Sequence, residues 1–124
     1  MRQQSVQFFT DKEEEFVNLL IEIGTRKNVA KVLVFLASTP ETTSRGIERG
    51  ADMRQPEVSM ATKYLMDQVW IKSREAPSEN KGRPTKVYEL AKPITVIMDS
   101  IEKKKKIETN NQLALVKKLR DYIG

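Results

Sequence analysis

Residues Gln55–Val69, QPEVSMATKYLMDQV, decide how the chain is read. Val58, Ala61, Leu65 and Val69 recur at i, i+3, i+7 and i+11, which places them on one face of an α-helix and gives that face to a core. Pro56 suits the first turn, where the N–H it lacks has no partner within the helix. The other face carries Gln55, Glu57, Ser59, Met60, Thr62 and Lys63, with Tyr64 beside them. Side chains of this kind hydrogen-bond base edges or touch thymine methyl groups in a DNA major groove.

Upstream, Thr42, Thr43 and Ser44 offer caps for a short helix running to about Arg49. Ile47 faces inward, Gly50 is expected to supply a left-handed exit, and Ala51 and Met53 carry the turn back to the apolar seam. Before that, residues 26–37 hold Val29, Val32, Leu33 and Leu36 at helical spacing, widened by Val34 and Phe35. The run VLVFLA is β-prone, but it extends in helical period through NVAK with no Gly or Pro, so a buried helix ending before Pro40 is expected. Earlier still, Asp11 is a candidate cap, Glu13, Glu14 and Glu15 suit the positive end of a helix, and Phe16, Leu19, Leu20 and Ile23 form a stripe that Gly24 stops. That stripe serves either the chain's own core or a partner chain.

Downstream, Trp70–Glu75 and Thr85–Leu90 are rich in aromatic and β-branched residues, and APSENKGRP between them is dense in turn formers. This is a hairpin. Trp70, Ile71, Val87, Tyr88 and Leu90 close over the helices as core, while Asn80, Lys81, Gly82 and Arg83 form an exposed tip. Arg83 on a thin hairpin suits a narrow minor groove, and Lys81 suits a phosphate. From Pro93 onward a helical pattern returns, with Ile94, Ile97, Met98 and Ile101 in one strip and Leu113, Val116, Leu119 and Ile123 in another. Lys103–Lys106 and Thr109–Asn111 interrupt the seam, so either one long helix has a solvated middle or, the reading favoured, two segments meet near Thr109–Asn111, their strips available for self-association.

Composition narrows the functional classes. The 124 residues, 39% apolar, suffice for one modest domain and an appended element. There is no cysteine and no histidine, which removes thiolate nucleophiles, disulfides, and the commonest general base and metal ligands. An enzyme is not expected, nor a metal or other cofactor, since Glu48, Asp52 and Asp67 lack ligand spacing. No apolar run approaches a membrane span or a signal segment, so a cytoplasmic protein without a membrane partner is the expectation. The net charge of +5 is unevenly placed: −3 over residues 1–25, +5 over 26–92 and +3 over 93–124. A basic centre beside an acidic start suits a polyanion, because neutralising phosphates releases counterions. Lys103–Lys106 circle their helix and read as a solvated face rather than a contact surface.

These elements outline a mainly α fold with a small β-hairpin, a winged helix-turn-helix with flanking N- and C-terminal dimerisation helices. Its expected divisions are an N-terminal helical arm (1–25), a winged-helix domain (26–92) and a C-terminal dimerisation segment (93–124). Two stretches, TSRGIERGADMRQPEVSMATKYLMDQ and KGRPTKVYEL, resemble the paired helices and the wing of MarR-, ArsR- and TrmB-type prokaryotic transcriptional regulators. The sequence departs from that pattern at Val69, where these families often carry Gly before the strand. The resemblance implies that Gln55, Glu57, Ser59, Met60 and Lys63 face the major groove, with Thr62 and Tyr64 near the DNA backbone. Arg45 and Arg54 would hold phosphates. It also implies a homodimer on double-stranded DNA, paired through Phe16, Leu19, Leu20, Ile23, Ile94, Ile97, Ile101, Leu113, Val116 and Leu119. Regulators of this kind often take small molecules between the domain and its flanking helices, but no convergent polar groups here identify an effector. The alternative is a winged helix that docks protein partners within a larger assembly.

Overall fold

Thr10 starts the first helix. Its hydroxyl accepts from the Glu13 N–H at 3.2 Å and the Glu13 carboxylate accepts from the Thr10 N–H at 2.9 Å, a reciprocal cap that displaces the cap expected at Asp11. The computed structural model describes residues 9–77 and 85–124. Helix α1 (Asp11–Glu22) ends at Gly24, whose φ of 111° lets the Thr25 N–H turn back to the Leu20 carbonyl. Helix α2 (Lys27–Ala37) follows, then β1 (Thr42–Thr43), α3 (Ser44–Gly50), α4 (Gln55–Asp67), the hairpin strands β2 (Ile71–Ala76) and β3 (Thr85–Leu90), and α5 (Ile94–Ile123). The strands form one antiparallel sheet in the order β1-β3-β2, with Thr43 opposite Val87 and Arg74 opposite the same valine on the other side. The two-residue β1 was not foreseen, since its threonines read as helix caps. They do both: Thr43 also caps α3, its hydroxyl accepting from the Gly46 N–H at 3.0 Å.

The core lies around α2, whose Val29, Ala30, Val32, Leu33, Val34 and Leu36 are all buried. Helices α1 and α4 pack on it, and α3 and β3 close its remaining sides. Ile47, Val58, Ala61, Leu65, Trp70, Ile71 and Val87 complete the packing. Each such side chain is worth roughly 1.5–3 kcal/mol when fully buried. The chain divides into two compact units, one ending at Ala91 and the other Lys92–Gly124. Helix α1 belongs to the first unit rather than standing apart as an arm, because Val17 and Leu20 are buried on it. Leu20 is therefore not available to a second chain; Leu19 and Ile23 are exposed and Phe16 is half-buried.

Three local expectations are corrected. Gly50 stays within α3, and what demands glycine is space: a Cβ there would overlap the Phe35 ring. The left-handed residue after α3 is Asp52, at φ 53°. Val69 leaves the apolar seam of α4, is 60% exposed, and has φ 62°, the conformation that glycine at this point would adopt without cost. Residues 94–123 form one helix of 30 residues, not two. No Gly or Pro interrupts it, and ion pairs Lys106–Glu102 (3.2 Å) and Lys105–Glu108 (3.1 Å) bridge the polar middle. Within it Ile97 is buried and so is not offered to a second chain; Ile94 and Ile101 are half-buried, and Leu113, Val116 and Leu119 are exposed. Among the described residues, no helix is long and apolar enough to cross a membrane.

Two outcomes follow. A β-branched residue in the left-handed region is strained, so Val69→Gly should raise unfolding free energy by about 0.5–1 kcal/mol even after glycine's larger unfolded-state entropy, read from denaturant midpoints. Glu13 is held below the usual glutamate range, chiefly by the Thr10 N–H. Its stabilisation is complete above that range and disappears as pH falls through the lowered value. The stability difference between the parent chain and Glu13→Gln should accordingly be present at neutral pH and vanish in acid.

Candidate nucleic-acid interface

Helix α4 is set by its own N-terminus and by the residue pattern below it. Arg54 precedes the first turn in extended conformation, and the Glu57 carboxylate turns back to accept from its N–H at 2.9 Å. Val58, Ala61 and Leu65 bury one face against the core. The outer face then carries Gln55, Glu57, Ser59, Met60 and Lys63 as exposed side chains, with Arg54 at the start and Arg45 exposed on α3. Met60 is 60% exposed and lies outside the buried core. Its neighbours are polar, so this methionine is presented outward rather than left over from a core.

Thr62 does not belong to that face. It is buried, and its hydroxyl donates to the carbonyls of Val58 (2.9 Å) and Ser59 (3.1 Å), a back-bond that fills its hydrogen-bonding capacity inside the helix. The expected role near the DNA backbone is therefore withdrawn. Tyr64 sits at the helix margin with its ring edge-on to Trp70, centroids 6.4 Å apart and planes at 77°. Trp70 is core, as the sequence indicated.

Tyr88 is only half-buried. With Ser73 opposite it on β2, it borders a shallow crevice of about 280 Å³ between α4 and the hairpin, where Ser59, Lys63 and Asp67 meet Lys86. Lys86 and Ser73 were not singled out from the sequence. The alternation along β3 contained the signal, because Lys86 and Tyr88 are two apart and share a sheet face. Glu75 lies opposite Lys86 in the strand register. Arg74 is committed elsewhere: one guanidinium nitrogen donates to both carboxylate oxygens of Glu41, at 2.7 and 2.8 Å, and this partner raises its pKa. Asn80, Lys81 and Arg83 lie outside the described residues. Among the described residues, no three acidic, histidine or cysteine side chains stand together as a metal would require.

The arrangement of α3, α4 and a hairpin on a three-strand sheet has counterparts among solved structures. TrmBL2, described as an archaeal chromatin protein with a novel mode of DNA binding, superposes with a TM-score of 0.68 over 90% of this chain, at 16% identity. The chain has the winged-helix fold. It spans 40% of the length of that archaeal protein. A possible transcriptional regulator from Methanosarcina mazei Go1 matches with a TM-score of 0.62 at 13% identity, over 87% of both chains. A MarR family regulator from Neisseria meningitidis matches with a TM-score of 0.50 at 18% identity, covering 87% of this chain and 84% of its own. No protein-family model and no curated protein sequence matches the chain. The mainly α fold with a small antiparallel sheet, and the likeness to winged-helix structures of prokaryotic regulators, are those expected from the paired helices and the hairpin.

Proposed function

We propose that the chain is a sequence-specific DNA-binding transcriptional regulator that acts as a homodimer, with α4 in the major groove and the hairpin tip in the minor groove. The observation that carries this reading is the outer face of α4. It is a rigidly seated helix surface on which Gln55, Ser59, Met60 and Lys63 project together, within a stretch, residues 26–92, whose net charge is +5. Gln pairs bidentately with adenine, Met60 can meet a thymine methyl, and Lys63 reaches guanine or a phosphate. Arg45 and Arg54 at the helix edges, and Lys81 on the hairpin, supply the sequence-independent phosphate contacts that hold register, while Arg83 enters the narrow minor groove. Glu57, turned to its own helix start, excludes rather than attracts, except at a cytosine amino group. The solved structures named above support the reading in their descriptions as regulators or as DNA-binding.

Selection of duplexes from a random pool, followed by gel shift of the selected sequence at several salt concentrations, tests it. Lys63→Ala is expected to weaken binding by about 1–3 kcal/mol, and Arg83→Ala to weaken it and to shallow the salt dependence. Thr62→Val, which alters only the inward hydroxyl, is expected to leave affinity unchanged. Full affinity in both the Lys63 and Arg83 variants would remove this face as the contact surface. No binding at low salt, with a stable protein complex instead, would identify a protein-docking winged helix.

A further inference from the structure

Helix α5 is continuous, and continuity aligns its two apolar strips in one pattern. Ile94, Met98, Ile101, Lys105, Glu108, Gln112, Leu115, Leu119 and Tyr122 follow an unbroken alternation of four and three residues, the seam spacing of a coiled coil. The seam is apolar at both ends and polar in the middle. Leu115 and Leu119 are exposed, 59% and 65%, and Tyr122 is almost fully so. Exposure of this kind at the end of a helix 30 residues long, about 45 Å, leaves that end of the seam without a partner among the described residues, while Ile94, Met98 and Ile101 are half-buried.

Lys105 and Glu108 pair with each other within one helix at 3.1 Å, and a second helix either joins that pair as a four-charge network or sets like charges face to face, which chooses the direction. If two α5 helices ran parallel in register, Lys105 would face Lys105 and Glu108 would face Glu108, with the neighbouring lysines of Lys103–Lys106 massed beside them. Running antiparallel, seam positions of one kind meet those of the other. A single register then sets Lys105 against Glu108 of the second copy, and Glu108 against its Lys105. The same register sets Met98 on Leu115 and Ile94 on Leu119, and places Ile101 on Gln112. A shift of one heptad would instead press Lys105 onto Leu115. We propose that α5 is an antiparallel self-docking surface, occupied by α5 of a second copy of this chain in the Lys105–Glu108 register. The inference rests on the homodimer reading above and adds to it the direction, the register and the residues that fix them.

The absence of cysteine makes the test direct. Full-length Met98→Cys and Leu115→Cys chains are oxidised separately and mixed. Cross-linked dimer is expected from the mixture and not from Leu115→Cys alone. A spin label on exposed Lys117, which lies on the side of α5 away from the seam, is expected to give about 35 Å between copies for the antiparallel register, against about 20 Å for a parallel pair. Sedimentation of the unmodified chain separates the two levels. A dimer in which Leu115→Cys cross-links to itself, with the short label distance, overturns the direction and leaves the dimer standing. A monomer at tens of micromolar overturns both. Lys105→Glu, which sets two acidic pairs at the centre, is expected to weaken the dimer at least tenfold, with restoration by the added change Glu108→Lys; a dimer indifferent to Lys105→Glu overturns the register.

Discussion

Burial of α2 on nearly all sides is the constraint on which the rest of the first unit depends. Val32 and Leu33 reach no solvent, and their neighbours α1, α3, α4 and β3 are held by the requirement to keep them dry. A helix enclosed in this way leaves its neighbours little freedom to rotate. Rotating α4 by one residue would carry Val58 and Leu65 out of the core and bring Ser59 and Met66 in, leaving the serine hydroxyl without water and the valine without packing. The outward direction of the α4 face is thus a consequence of the core below it.

The same dependence explains which parts of the fold were legible in the residues. Helix α2 was visible because no Gly or Pro breaks its apolar run, and the hairpin was visible because APSENKGRP stands between two β-branched segments. Helix α1 misled in detail. Its apparent stripe included Leu19 and Ile23, yet the buried positions are Val17 and Leu20, and only the direction of approach to α2 decides between such adjacent stripes. Gly50 was read as a turn residue because glycine usually serves that end; the true reason, the Phe35 ring fifteen residues away in sequence, is not a local property.

In the candidate site the legible part was the outer face of α4, since helical period alone separates Ser59 and Lys63 from Val58 and Ala61. Thr62 lay on the boundary between the faces, where a small polar residue is read either way, and its back-bonds to Val58 and Ser59 settle it inward. The alternation along β3 puts Lys86 on the sheet face of Tyr88, but that this face and Ser73 turn towards α4 depends on how the hairpin folds back, which no spacing within one element encodes. The continuity of α5 was obscured by low helix propensity at Thr109–Asn111, which ion pairs and a break-free sequence outweigh.

Thr43 ends β1 and caps α3, and the Trp70 N–H bonds back to the Leu65 carbonyl at 3.1 Å, so the sheet is tied to the helix pair at both of its junctions with it. Helix α4 and the strands β2 and β3 are therefore oriented relative to each other before any ligand arrives, and under the proposed function a second contact from the hairpin would be made at little further cost in conformational entropy once the first had formed. In such an arrangement the setting of helix against strands would act as a ruler. A duplex whose groove geometry did not match it would be rejected by shape, whatever bases it displayed.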